Sequence, residues 1–187
     1  MNDYKDEELM IMFKNENPAA FDLLFERYRG PVFGFIFRML GYDREAAEDL
    51  YQEIFIKVFK GRDFYEPSGK FSAWLFTIAR NHCLNYLKSR RYLEAQRTQS
   101  LDEVQSKAGQ EAAAPNPENN PGTDREILDE AIAELPEKYR EVFLLHAVEE
   151  LPHEEIAGIL DMNAATVRTN YHRARRLLRE KLGPVLS

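Results

Sequence analysis

The sequence predicts an all-α protein: two small helical domains joined by a flexible linker, the C-terminal one containing a helix-turn-helix. Three observations carry that reading. Apolar residues recur at three- and four-residue spacing through most segments, and no segment is rich in strand signals. Between Gln99 and Gly122 the chain turns to Pro, Asn, Gly and Ala with almost no bulky apolar residue, a composition that buries too little to fold. Near the C-terminus charge reverses inside a two-helix unit. With 187 residues and 44% hydrophobic content the chain can bury one or two small cores. The expected boundaries are 1–97 for the first domain, 98–122 for the linker and 123–187 for the second.

In the first domain, Leu9, Met10, Phe13, Ala20, Phe21, Leu24, Phe25 and Tyr28, followed by Val32, Phe33, Ile36, Phe37 and Leu40, predict two helices parted near Gly30-Pro31. From Asp43 to Phe59 the pairs Ala46/Ala47, Leu50/Tyr51, Ile54/Phe55 and Val58/Phe59 repeat every fourth residue and form a buried stripe. Glu45, Glu48, Asp49, Gln52 and Glu53 fall outside it as an acidic ridge. A loop of turn formers and aromatics, Gly61–Gly69, leads to a helix over Lys70–Arg91 that ends in a Lys-Ser-Arg-Arg cluster. The spacing of Phe71, Trp74, Leu75 and Ile78 marks its inward face.

In the second domain, Ile127, Leu128, Ala131 and Ile132 predict a helix ending near Glu134, and Leu135-Pro136 opens another with Tyr139, Val142, Phe143 and Leu144 inside. Pro152, Glu154 and Glu155 suit the first turn of the next helix, which starts near Leu151 and packs through Ile156, Ala157, Ile159 and Leu160. Asp161-Met162-Asn163 reads as the turn, since Asp and Asn tolerate left-handed backbone. Thr166 caps or opens the last helix, where Val167, Tyr171, Ala174 and Leu178 face inward. Arg168, Thr169, His172, Arg173 and Arg176 face outward, and that helix carries six cations against one acid. A cationic second helix of this kind fits the DNA major groove, its first turns on base edges and its later arginines on phosphates.

The string from Leu151 to Glu180 closely resembles the C-terminal DNA-binding domain of extracytoplasmic-function sigma factors of the sigma-70 family, and Leu135–Phe143 resembles the segment preceding it. Asp161, Ala165 and Asn170 depart from the family's usual Gly, Gly and Arg or Lys. Asp43–Phe59 resembles the family helix that grips RNA polymerase, and Lys70–Arg91 the part that melts and reads the −10 promoter element. The resemblance implies that Thr166 and the five exposed residues after it read the −35 element. It implies that Asp49, Gln52 and Glu53 meet a basic helical hairpin of core polymerase. Tyr65, Ser68, Lys70, Arg80, Asn81, Asn85, Lys88, Arg90 and Arg91 become the candidates for single-stranded −10 DNA, where aromatic and polar groups hold bases and cations follow the backbone. Expected partners are core RNA polymerase, promoter DNA and an anti-sigma factor.

The net charge of −7 divides in a way that suits this reading. Residues 61–97 hold 7 basic and 3 acidic residues, 166–187 hold 6 and 1, while 125–165 hold 3 and 11. No apolar run approaches the roughly 20 residues needed to span a bilayer, and the first residues are too acidic to begin a signal peptide, so a cytoplasmic protein without stable membrane insertion is expected. Cys83 stands alone on an apolar face and is expected to be a buried small hydrophobe, with no disulfide. His82, His146, His153 and His172 show no ligand spacing, so neither metal nor cofactor is expected. An enzyme has least support, because no carboxylate cluster for metal-assisted phosphoryl transfer is present in the sequence. A conventional operator-binding regulator and a protein that only sequesters a partner are the competing readings; neither accounts for the acidic ridge together with the cationic helix.

Overall fold

The computed structural model describes residues 4–66, 69–102 and 124–183, and these form eight α-helices with no strand among them. In the first domain α1 spans Asp6–Lys14, α2 Pro18–Met39, α3 Arg44–Lys60 and α4 Phe71–Asp102. A single 3₁₀ turn, Arg62–Phe64, lies between α3 and α4. Their shared core gathers Leu9, Phe13, Leu24, Phe35, Ile36, Ile54, Phe71 and Leu75, all buried.

The first helix break differs from expectation. It falls at Asn15–Asn17, with Glu16 at φ 63°, and α2 then runs through Pro31 without interruption. Pro at this position removes one i→i−4 bond. Burial of Val32, Phe35, Ile36 and Met39 on the following two turns outweighs that local cost. α3 begins where its sequence says it should, because the Asp43 carboxylate accepts the Ala46 N–H at 3.1 Å. α4 continues to Asp102, so the first residues assigned to the linker are helical; residues 103–123 lie outside the described part of the chain.

The second domain comprises α5 (Asp124–Ala133), α6 (Glu137–Phe143), a π-helical turn over Leu144–Val148, α7 (His153–Leu160) and α8 (Ala164–Leu182). Asp161 ends α7 in the left-handed region, at φ 51° and ψ 50°, a conformation that the sequence admits through Asp where Gly would be unstrained. The cap of α8 is Asn163 rather than Thr166. Its side-chain oxygen accepts the Thr166 N–H at 2.8 Å, which puts Thr166 inside the first turn.

The two domains meet along α4 and the end of α2. Arg80 lies across the Glu141 carboxylate at 3.1 and 3.4 Å, Lys70 meets Glu155 at 3.0 Å, and Arg91 meets Glu137 at 2.9 Å. Ser72 Oγ donates to the same Glu155 at 3.2 Å. At the other seam Arg38 pairs with Asp129 at 3.6 Å, and Arg140 donates to the carbonyls of Met39, Leu135 and Ala133. Glu149 follows the π turn in a partly buried position, where loss of hydration lifts its carboxyl to about 7, with Arg38 offsetting part of the rise.

That shift fixes a pH dependence. The folded chain holds the Glu149 proton more tightly than the unfolded chain, so the associated stability is present below the ordinary carboxyl value of 4.5 and lost as pH rises through about 7. Glu149→Gln keeps the neutral shape at every pH. We expect urea titrations to show wild-type stability falling more steeply than that of Glu149→Gln between pH 4.5 and 7; equal slopes would refute the assignment.

Candidate nucleic-acid and polymerase interfaces

α8 presents a divided surface. Val167, Ala174 and Leu178 are buried and Arg168, Thr169, His172, Arg173 and Arg176 exposed, as the periodicity predicts; Thr166 is exposed too, Tyr171 is only half-buried, and Asn170 joins the buried face. Asn170, where the family usually has Arg or Lys, turns inward, with its amide 4.0 Å from Met162 Sδ. The substitution therefore takes no cation from the exposed face. The outward cations are only lightly engaged: Arg173 donates to the Tyr139 hydroxyl at 3.4 Å, and Arg176 pairs with Glu180 at 3.6 Å, both at the surface. Beneath the helix, His146 stacks on His153 at 4.2 Å between centroids and meets Tyr171 edge-on at 4.5 Å. His146 Nδ1 donates to the Leu151 carbonyl at 2.8 Å, tying the π turn to the start of α7. Burial, then His146 and Arg168, push the His153 imidazole below its ordinary value, which favours the neutral stack.

α3 carries the acidic ridge as expected. Asp49, Gln52 and Glu53 are exposed, and the opposite face buries Ala46, Ala47, Leu50, Ile54, Phe55 and Val58. Asp49 and Glu53 share a cleft with Asp43 and Glu45 of the same element and with His82 and Asn85 of α4. An adjoining groove, which sequence reading missed, is apolar: Phe21, Phe25, Tyr51, Phe55, Ile56 and Phe59 line it together with Gln52. Ile56 is 54% exposed and Phe59 44%, although the fourfold repeat placed Phe59 in the buried stripe.

The residues expected at −10 DNA do not form one open surface. Asn81, Asn85 and Lys88 are exposed, but Asn85 faces the acidic cleft, a poor setting for a phosphate contact. Arg80 is largely covered by Glu141, Arg91 and Lys70 meet acids of the second domain, and Arg90 lies 3.3 Å from Asp43. Tyr65 requires correction as a base-stacking candidate. It is 2% exposed, its ring packs against Phe71 and Trp74, and its hydroxyl donates to the Gly69 carbonyl at 3.1 Å. Ser68 lies outside the described residues. The exposed aromatic of this loop is instead Phe64, at 85%. Lys14 holds the turn from below, donating to the Asp63 carbonyl at 3.0 Å, and Arg62 rests over the rings of Phe13 and Phe59. Cys83 is fully buried, as expected, and burial pushes its thiol up to about 12.

Comparison with known proteins matches residues 24–92 to sigma-70 region 2 and residues 125–178 to sigma-70 region 4. The chain is 34% identical to the RNA polymerase sigma factor CarQ of Myxococcus xanthus over 93% of its length and 95% of that protein's. The chain is an extracytoplasmic-function sigma factor of the sigma-70 family. The ECF RNA polymerase sigma factor SigW of Bacillus subtilis is 32% identical, covering 90% of this sigma factor and 92% of the relative. Among solved structures, the sigma factor RpoE from Bartonella quintana, in complex with the anti-sigma factor NepR, superposes with a TM-score of 0.65 and 25% identity, covering 87% of this chain and 96% of that one. CnrH, solved with the cytosolic domain of CnrY, shares the fold at a TM-score of 0.68 and 22% identity, covering 96% and 97%.

The neighbouring aromatics of the loop separate structure from surface. Tyr65→Ala should cost about 3 kcal/mol by opening a cavity against Phe71 and Trp74, whereas Phe64→Ser should change stability by less than about 0.5 kcal/mol. Chemical denaturation of the two variants checks this, and equal losses would contradict the placement of the two rings.

Proposed function

We propose that this sigma factor binds core RNA polymerase through Asp49, Gln52 and Glu53 on α3, reads the −35 element with α8, and opens and reads the −10 element with α4 and the loop before it. Residues 1–97 act as the polymerase-binding and −10 unit, 98–122 as the tether and 123–187 as the −35 unit. The observation that carries this is the separation of charge on exposed faces. An acidic ridge on α3 suits a basic partner helix, and a cationic face on α8 suits duplex phosphate and base edges.

Arg168, Thr169, His172 and Arg173 occupy the first turns of α8, where side chains reach base edges; Arg176 lies one turn further, where phosphates run. Lys88 and Asn81 are the exposed −10 candidates on α4. Catalysis belongs to polymerase, and this chain supplies promoter choice and strand opening without being an enzyme. It works in the cytoplasm, where polymerase and DNA are, and among the described residues no helix is long and apolar enough to cross a membrane. Control by an anti-sigma factor is supported by the RpoE relative, which was solved in complex with the anti-sigma factor NepR.

The direct test is transcription in vitro with purified core polymerase on a genomic fragment library, mapping RNA 5′ ends with and without the protein. New starts sharing paired upstream elements support the reading; their absence, with no complex on a sizing column, favours a conventional operator-binding regulator. Asp49→Arg should abolish core binding while its circular dichroism and melting stay those of the wild type. Arg173→Ala should weaken promoter recognition by about 1–3 kcal/mol and leave core affinity unchanged. Loss of both activities in a well-folded Arg173→Ala protein would refute the division of labour between the domains.

A further inference from the structure

Two imidazoles with no part in DNA contact lie under α8. His146 of the π turn and His153 at the start of α7 stack at 4.2 Å between centroids, with 28° between their planes. Tyr171 of α8 completes the group, edge-on to His146 at 4.5 Å and 5.9 Å from His153. Between the two histidines the chain doubles back through Glu150, a non-glycine residue at φ 56°. A carbonyl oxygen can only accept, so the 2.8 Å contact between His146 Nδ1 and the Leu151 oxygen puts the His146 proton on Nδ1 and holds that turn. His153 Nε2 is buried and has no hydrogen-bond partner. As a bare lone pair it costs less there than as the N–H of an imidazolium, which would be a buried donor without an acceptor and would carry a charge.

We propose that His153 is a positioning residue for −35 recognition: its neutral ring, stacked on His146, seats Tyr171 and so fixes the face that Arg168, Thr169, His172 and Arg173 share, and a proton on the ring unseats it. The inference rests on the reading of α8 as the −35 helix. Arg168 lies three residues before Tyr171, and His172 and Arg173 follow it directly, so a shift of the Tyr171 ring moves the residues that reach base edges. On its other sides Tyr171 meets Phe143 of α6, stacked at 6.3 Å, and the Arg175 guanidinium, 5.8 Å from its ring. Charged groups reach His153 from every element around the stack. Burial comes first in opposing a proton on it; His146 of the π turn, then Arg168 and His172 of α8, add to that, while Glu154 of α7 favours one. The folded chain holds this proton less tightly than the unfolded chain. The contribution of the stack is therefore present above the ordinary imidazole value of 6.5 and is lost as pH falls below it.

The test compares the full wild-type chain with His153→Phe and His153→Gln. Phe keeps a flat ring for the stack, Gln keeps polarity at similar size, and neither takes a proton. Two quantities are read at about pH 7.5 and about pH 5.5, on either side of the ordinary imidazole range: affinity for a fluorescein-labelled random-sequence duplex, and hydrogen exchange of the α8 amides. Exchange is compared between wild type and variants at the same pH, so that its intrinsic pH dependence cancels. Acid adds positive charge to the whole chain, which by itself tightens DNA binding. Wild type should instead bind about fivefold more weakly at the lower pH and lose protection in α8, whereas the variants should bind at least as tightly in acid and keep it. If His153→Phe melts early, His153→Gln carries the comparison. Tighter wild-type binding in acid, with α8 protection equal to that of the variants, overturns the proposal. An equal loss in wild type and both variants also overturns it, because another group is then responsible. Loss of α8 protection in wild type alone, with no duplex bound at either pH, keeps the stack as a brace of α8 and refutes the assignment of that helix to DNA. Core polymerase affinity should not separate wild type from the variants at either pH.

Discussion

Where the two domains meet, a glutamate and an arginine share a site almost out of reach of water, and the strength of that contact decides how firmly the halves hold each other. Burial first, and the nearby Glu137 charge with it, raise the Glu141 carboxyl above its usual range, and Arg80 opposes that rise. The desolvation cost of such a pair commonly cancels much of its Coulomb attraction. What it does enforce is matching: either charge left alone at that depth is strongly unfavourable. The interface is thus specific in register without being strong, and the exposed pairs at Lys70 and Arg91 add little further hold.

Charge distribution along the chain follows from the same constraint. The two basic stretches could not coexist with a net charge of −7 unless acids were concentrated elsewhere, and the largest concentration lies in α5, α6 and α7. Those helices carry α8 on one side and face α4 on the other. The acids thus stand behind one cationic surface and in front of another. The cations of α8 meet partners within the second domain, the Tyr139 hydroxyl at Arg173, the Tyr171 ring at Arg175, Glu180 at Arg176 and Glu134 at Lys181, whereas Lys70, Arg80 and Arg91 meet acids across the domain boundary. The difference lies in tertiary placement, since both helices are basic in sequence, α8 with 6 cations to 1 acid and α4 with 5 to 2.

Much of this architecture was legible from periodicity. The stripe of α3, the divided face of α8 and the turn at Asp161 could be read because each depends on neighbours within two or three turns. Pro31 misled because its local penalty was outweighed by burial contributed from other helices. Tyr65 misled differently: turn formers on both sides mark a loop, but only the folded loop decides which of two adjacent aromatics points inward. Asn163 carried a readable cap signal three residues before Thr166, the position whose N–H it accepts. The pairs between the α4 region and the second domain were beyond reach, since they join residues 46 to 85 positions apart and a lone glutamate has no pattern that names its partner.

Pairs this weak can still hold the two domains together. Salt weakens the exposed carboxylate contacts and the phosphate contacts together, so ionic strength alone favours neither strongly. The balance rests on local concentration. A tethered domain presents its acids to α4 at an effective concentration in the millimolar range, which weak binding by free single strands does not match.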